Sequence, residues 1–289
     1  MAGIVFGCIV PHPPLIIPDI GKGGEHAISA TIKAMEKLTG KLAKQRPETV
    51  LLISPHGKSH ANAMGILTAP SSSGDLAVWG SHEPRQLYQN DPAMVEPIQQ
   101  EAKKASIPMA AIVKGGDELD WGVTVPLHFL KHAMKEAALV PLTFSWLSMQ
   151  KHFAFGKAIR KAAEQSQKRV AIIASGDLSH RLIPTAPAGY DPMGKVFDEK
   201  LVKAISLLDS KAVLTFEPEL IERAGECGLR SITILLGALE GLKATAEVLS
   251  YEGPFGVGYM VASLEVSTWK KVRRNDRHGK ETPPHPQTG

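Results

Sequence analysis

Short runs of consecutive apolar residues alternate along most of the chain with longer segments whose apolar residues recur every three or four positions. The runs have the length of strands covered on both faces, and the longer segments have the period of helices that cover them. The predicted strands are residues 4–10, 50–54, 64–69, 109–113, 139–146, 170–175, 246–251 and 256–266. The predicted helices are residues 24–44, 93–105, 124–136, 152–165, 193–207, 218–223 and 229–242. This alternation predicts an α/β fold with a central, mostly parallel or mixed sheet flanked by helices.

No linker divides the body of the chain. Residues 71–74 and 114–117 have the composition of loops, but each segment is too short to separate domains. We therefore expect a single domain over residues 1–268. Residues 269–289 are basic and contain three prolines, which predicts a flexible tail.

The net charge of +4 is concentrated in the tail. Because the rest of the chain is neutral, it lacks the broad basic surface that nucleic-acid binding requires. The tail is most simply a solvated terminus, and an arm for RNA or an acidic partner is the alternative. No stretch approaches the roughly 20 apolar residues of a membrane span. With two distant cysteines and no signal-like start, we expect a cytoplasmic protein without membrane association.

Three histidines directly follow predicted strands: His12, His56 and His180. Strand ends in an open α/β sheet gather functional side chains, so these histidines suggest one shared site. His12 lies between prolines and His56 lies between a proline and a glycine, which predicts rigid loops that could aim two metal ligands. The alternative is that both are loop histidines bonded to backbone carbonyl groups.

Other histidines give weaker patterns. His60 follows His56 by four residues, but Gly57 makes a helix unfavourable there and no glutamate follows His56. His128 and His132 share that spacing on a predicted helix. They form either a half-buried helix face or part of a pocket lining.

The segment after the strand at residues 170–175 contains Asp177, Ser179 and His180. A hydrolytic triad is disfavoured because its members normally come from separate elements and no nucleophile-elbow pattern surrounds Ser179. Asp177 and His180 are better interpreted as an acid/base pair at a strand end. A histidine there could accept a proton from a phenol and return it later.

Glu226 and Cys227 precede the last predicted helix, and either could complete a three-ligand metal site with the two histidines. A carboxylate would give the face of two histidines and one carboxylate that suits Fe(II), whereas a thiolate would favour zinc or copper. Alternatively, Glu226 interacts with the positive end of the helix and Cys227 packs in the core.

These motifs resemble the LigB-type superfamily of class III extradiol ring-cleavage dioxygenase catalytic subunits and their MEMO-like relatives. The likeness covers residues 4–266 and is greatest to bacterial LigB-domain proteins of the AmmeMemoRadiSam group. The resemblance implies a phosphorylase/hydrolase-like α/β fold. The motifs are the early Pro-His-Pro, the Ser-Pro-His-Gly, the Asp-x-x-His and the late Glu-Cys-Gly.

The resemblance implies non-haem Fe(II) held by His12, His56 and Glu226, with zinc as an occupant in some preparations. It also implies that His180 is the acid/base residue, that Asp177 orients it, and that a catechol-like aromatic substrate is cleaved with O2. The sequence leaves the oligomeric state open, a homo-oligomer included.

Two features of the chain depart from the ring-cleaving pattern. Ring-cleaving members usually have Asp-His-Gly where this chain has Asp120, Trp121 and Gly122, and MEMO-like relatives use a cysteine near the position of Cys227. The dioxygenase is the leading hypothesis. A MEMO-like metal-binding protein without ring-cleaving turnover is the first alternative, and a zinc hydrolase with the same ligands is the second.

Overall fold

An eight-stranded mixed sheet forms the centre of the molecule in a computed structural model that describes residues 2–113 and 118–267. The strands are β1 (Gly3–Val10), β2 (Thr49–Ser54), β3 (Met64–Leu67), β4 (Ser71–Gly74), β5 (Gln86–Gln89), β6 (Met109–Ile112), β7 (Ala138–Thr143), β8 (Arg169–Ser175), β9 (Ala244–Glu252) and β10 (Tyr259–Val266). The helices are α1 (Pro18–Gly21), α2 (Ser29–Gln45), α3 (Pro92–Lys104), α4 (Trp121–Leu130), α5 (Met149–Ser166), α6 (Pro192–Ser206), α7 (Ser210–Leu214), α8 (Pro218–Ala224) and α9 (Leu229–Leu239).

The strand order in the main sheet is β6-β3-β7-β2-β8-β1-β10-β9. The four central strands β7, β2, β8 and β1 run parallel to one another. Strand β3 is antiparallel to β7, and β10 is antiparallel to β1. The predicted fold class, a single α/β domain with a mixed central sheet, is therefore confirmed.

The central strands separate two hydrophobic cores. Ile9 faces one core and Val10 faces the other, and Ile172 and Ile173 divide in the same way. This alternation explains why the central strands are continuous apolar runs in the sequence. Helices α3, α5, α6 and α9 cover one face, and α2 and α4 cover the other. In the described part of the chain, no helix is both long enough and apolar enough to cross a membrane.

The structure differs from the sequence prediction at residues 71–74, and it adds the short elements α1, β5 and α7, which the sequence did not predict. Residues 71–74, predicted as a loop, form strand β4, which pairs with β5 in a separate hairpin. Ser72 is buried, and its hydroxyl donates to the Asn90 side chain at 2.6 Å. Strand pairing and this bond satisfy polar groups that composition alone assigns to solvent. The other predicted loop, residues 114–117, and the tail from residue 268 onward lie outside the described residues.

Candidate metal centre

Three neighbouring parallel strands bring the predicted histidine motifs to one edge of the sheet. His12 follows β1 and His56 follows β2, with β8 between these two strands. Because parallel strands end at the same edge, the two loops meet there. The Nε2 atoms of His12 and His56 lie 2.9 Å apart.

Cys227 completes the group. Its Sγ lies 3.7 Å from His12 Nε2, and the three ligand-type atoms of His12, His56 and Cys227 all lie within 4.8 Å of one another. The loop that carries Cys227 packs tightly on the segment after β8, where a Cβ atom on Gly176 would lie 2.1 Å from the Gly228 Cα. Two glycines are thus needed for the approach that delivers the sulfur.

Glu226 faces away from this group. One of its carboxylate oxygens accepts a hydrogen bond of 2.6 Å from the Leu229 N–H at the start of α9, and the other lies 3.7 Å from Arg230. The interaction with the positive end of the helix, which the sequence left open for Glu226, is the one that the structure contains. Of the two adjacent candidates for the third ligand, the structure therefore favours Cys227 over Glu226.

The spacing of the three donor atoms suits a metal ion. Metal–nitrogen bonds of about 2.0–2.1 Å and metal–sulfur bonds of about 2.3 Å place neighbouring donors roughly 3–3.7 Å apart in tetrahedral or octahedral geometry. The nitrogen–nitrogen distance of 2.9 Å and the sulfur–nitrogen distance of 3.7 Å from His12 match this range, and the third separation, between His56 and Cys227, is within 4.8 Å. The residues present therefore fit a small transition-metal ion.

Ser175 sets the tautomer of His12. The Ser175 hydroxyl donates to the Gly122 carbonyl oxygen at 2.5 Å, so its oxygen accepts from His12 Nδ1–H at 3.0 Å. This arrangement leaves the lone pair of Nε2 free to bind a metal. Burial, together with a smaller effect of His180, lowers the pKa of His12 to about 3. His12 is therefore neutral at physiological pH, the form that ligates metals.

The other two donors are also neutral without a metal. Burial lowers the pKa of His56 to about 3, with smaller contributions from His12 and His180. Burial raises the pKa of the Cys227 thiol well above its ordinary value, and Asp177 and Glu226 raise it further. A bound cation reverses this preference, because a coordinating thiol is deprotonated. Metal binding at this centre should therefore release a proton from Cys227.

Asp177 lies beside the donors, and His180 follows it on the segment after β8. Asp177 accepts a hydrogen bond from the His12 backbone N–H at 3.0 Å, and its second oxygen lies 3.8 Å from His12 Nε2. Burial raises the pKa of Asp177 to about 6, although His180 and the His12 N–H oppose this effect. The Nδ1 atom of His180 is buried and has no hydrogen-bond partner among the described residues. Asp177 thus positions the His12 loop, and His180 retains an unused ring nitrogen.

Trp121 covers His56 on the other side of the centre. Their rings are stacked, with centroids 4.1 Å apart, and Trp79 contacts Trp121 edge to face. Asp120 begins α4 and accepts from the Ser54 hydroxyl at 2.5 Å, while the same hydroxyl accepts from the His56 N–H. These contacts hold the His56 loop and the tryptophan together.

The sequence was also compared with models of known protein families. The model of the catalytic LigB subunit of aromatic ring-opening dioxygenase matches residues 7–262. The chain belongs to the LigB family.

Two curated proteins are similar to this LigB-family chain. Protein CA_C1420 of Clostridium acetobutylicum is 35% identical over 264 residues, which cover 89% of this chain and 56% of that protein. The 3,4-dihydroxyphenylacetate 2,3-dioxygenase of Escherichia coli is 28% identical over 174 residues, which cover 56% of this chain and 62% of that protein. The matched region thus spans less than two thirds of each relative.

A solved structure shares the fold. The crystal structure of uncharacterized protein JW3007 from Escherichia coli K12 has a TM-score of 0.57 and 17% identity, and the match covers 90% of this chain and 99% of that one. At this identity, the likeness shows a shared fold and nothing finer.

Sequence reasoning missed one residue that supports the centre and considered histidines that lie outside it. Ser175 ends an otherwise apolar strand, and its register partner on β1 is Val10, two residues before His12. The only sign of this role in the sequence was a serine hydroxyl at the end of an apolar strand. In contrast, the His128 ring bonds to Glu83 at 3.0 Å, and the grouped donors do not include His60.

Proposed function

We propose that this LigB-family protein is a metal-dependent oxidoreductase of the extradiol class, which cleaves a catechol-like aromatic compound with O2. The observation that carries the proposal is the convergence of His12, His56 and Cys227 at the edge where the parallel strands end and where His180 follows β8. Aromatic ring-opening chemistry is the activity in the name of the matched family.

Fe(II) is the ion that this proposal places on the three donors. When bound, it would supply the redox chemistry and the open coordination positions that a diol and O2 require. The thiolate of Cys227 adds affinity for zinc and copper, so the metal content of a preparation need not report the active ion. Neutral imidazoles and one thiolate would leave the loaded site with a positive charge that favours an ionised phenol.

His180 is the proposed proton acceptor. Its Nδ1 atom has no hydrogen-bond partner in the described chain. His180 lies on the segment after β8 whose Asp177 bonds to the His12 N–H, and its own N–H donates to the Ala224 carbonyl oxygen, three residues before Cys227. A general base must be within reach of the proton that it removes. His180 would take the phenolic proton as the diol binds and return it to the opened product, while Asp177 would keep the His12 loop in place.

The second candidate is a MEMO-like metal-binding protein that does not cleave rings. Two observations favour it: a cysteine is the third donor, and the Trp121 ring lies against His56 where ring-cleaving relatives usually have a histidine. The bulk of an indole at this position narrows the approach to the metal from that side.

Anaerobic reconstitution with Fe(II) tests the proposal. A panel of catechols that includes 3,4-dihydroxyphenylacetate is added with O2, and O2 uptake is followed together with the yellow absorbance of the ring-opened product. We expect both in the wild type and in His26→Ala, whose ring is exposed at the surface, and neither in His180→Ala. Tight Fe(II) binding without O2 consumption on any diol would replace the dioxygenase with the MEMO-like alternative.

A further inference from the structure

A cavity near the metal donors is lined by Gly225, Glu226 and Arg230, and by none of His12, His56 and Cys227. It has a volume of about 530 Å³, within the range typical of small-molecule sites. Its lining includes Glu226 but not the adjacent Cys227. The apolar wall consists mainly of Leu147, Met149, Leu214, Phe216, Pro218 and Ile221. We call this cavity the Arg230 cleft, after the cation at its edge.

Among the described residues, no group accepts a hydrogen bond from the Arg230 side chain in this cleft, and its carboxylate neighbour is Glu226. Its guanidinium carbon lies 4.6 Å from the centroid of the Trp146 ring and 5.7 Å from that of Phe144, while its side chain is only 19% exposed. The Nε–H is buried and unpartnered among the described residues. The contact with Glu226 measures 3.7 Å, which is too long for a hydrogen bond.

A buried guanidinium that has an ion-pair partner at 3.7 Å but an Nε–H without a hydrogen bond among the described residues is unusual. Buried polar groups in folded proteins nearly always have a partner, and each exception calls for an explanation such as a missing ligand. The Arg230 guanidinium carbon lies over the Trp146 ring, and the nearby Glu226 oxygen is beyond hydrogen-bonding distance, so the terminal N–H groups can still donate to an acceptor. The forked geometry of these donors matches the two oxygens of a carboxylate.

The start of α5 adds donors to the same cleft. Met149 and Gln150 line the cavity as the first two residues of this 18-residue helix, and Ser148 lies directly before them. The N–H groups of a first helical turn have no partner within the helix and favour negative charge. Glu226 also lines the cavity: one of its carboxylate oxygens accepts from the Leu229 N–H, and the other lies 3.7 Å from Arg230.

We infer that the Arg230 cleft binds a small organic carboxylate with an apolar body. The carboxylate would be held by the Arg230 fork near the start of α5, and the apolar body would lie along Leu147, Phe216 and Ile221. Trp146, whose side chain is 63% exposed, would form the rim and would report occupancy through its fluorescence. This inference does not depend on the metal or on the proposed function.

Calorimetric titration with 4-phenylbutyrate and octanoate tests the inference, supported by tryptophan fluorescence. The neutral amide of 4-phenylbutyrate and the anion phenyl phosphate are titrated in parallel. We expect both carboxylates to bind the wild type and to bind Arg230→Gln at least roughly tenfold more weakly, because a charged hydrogen bond is lost. The matched control is Arg85→Gln, which removes an exposed arginine from the distant β4–β5 hairpin.

A second variant shows whether lost binding in Arg230→Gln could come from misfolding. Leu147→Trp fills the cleft but keeps Arg230, and it should also abolish binding while its circular dichroism stays native. Absence of carboxylate binding at millimolar concentrations, or equal binding of the amide, would overturn the inference. Equal binding by folded Arg230→Gln would also overturn it. Tighter binding of phenyl phosphate than of either carboxylate would replace the carboxylate assignment with a phosphate one.

Discussion

The metal centre and the Arg230 cleft, which adjoin residues 225–228, differ in how far the protein satisfies their polar groups. On the metal side, the donors are oriented by the protein itself: Ser175 fixes His12 Nδ1, and Asp177 bonds to the His12 backbone. In the cleft, Arg230 is four-fifths buried and its Nε–H lacks a partner in the described chain. A centre with internal hydrogen bonds is preorganised, whereas a site with an unsatisfied donor depends on a partner from outside.

This difference predicts which substitutions should change the metal affinity. Changes on the metal side should alter metal affinity even when the replaced residue is not a ligand, because neighbouring hydrogen bonds aim the donors. Changes on the cleft side should leave metal affinity nearly unchanged. The boundary between the two regions runs between Glu226 and Cys227, so substitutions there test it most directly.

Loss of the sulfur should have the largest effect. We expect Cys227→Ala to weaken Fe(II) or Co(II) binding by more than the roughly 100-fold that loss of a supporting residue costs. Chelator competition measures the affinity. The thiolate-to-metal charge-transfer band of the Co(II) protein should also disappear.

Cys8→Ala is the matched control for that variant. Cys8 is fully buried in β1 and is not among the grouped donors. We expect it to keep the affinity and the band. If Cys227→Ala retained both, the sulfur would not be a ligand and the comparison of the two regions would fail.

Ser175→Ala should have the next largest effect. The substitution removes the acceptor for His12 Nδ1–H, so the ring loses the bond that fixes its tautomer and orientation. Supporting hydrogen bonds of this kind typically contribute about 10–100-fold to metal affinity. Chelator competition is again the measurement, and an unchanged affinity would show that packing alone orients His12.

Trp121 tests whether stacking also supports a ligand. Trp121→Ala removes the ring that lies on His56, and aromatic pairs contribute about 0.5–1.5 kcal/mol beyond simple burial. We expect a loss of roughly 3–10-fold in metal affinity from that free energy. Trp121→Phe keeps a stacked ring and should retain most of the affinity. Equal losses in both variants would contradict the stacking explanation.

Much of this arrangement follows from the sequence. Apolar runs predicted the central strands, and because parallel strands end at one edge, they also predicted that His12 and His56 would meet. The strand at residues 71–74 was not predicted, because the bonds of β4 to β5 and of Ser72 to Asn90 are long-range contacts that local composition does not encode.

The third ligand could not be chosen from the sequence for a physical reason. Residues 225–228 lie between two helices, so no helical or strand period fixes which way each side chain points. The direction is set instead by the close packing of Gly228 on Gly176 and by the bond from Leu229 to Glu226. The contact of Trp121 with His56 also depends on tertiary packing and was visible beforehand only as a departure from the family pattern.

The smallest expected effect on the metal belongs to Glu226→Gln. Glutamine keeps an oxygen that can accept the Leu229 N–H bond, so the variant removes only the charge at the start of α9 and beside Arg230. A charge at a helix end contributes about 0.3–1 kcal/mol, up to about 2 kcal/mol when partly buried, and urea unfolding of the metal-free protein measures this change. Metal affinity should stay within about threefold of the wild type, as expected for a group outside the donor set. A loss of metal as large as that of Cys227→Ala would instead make Glu226 a ligand. In that case the two adjacent side chains would exchange sides when the metal binds, and the boundary between the two regions would move with them.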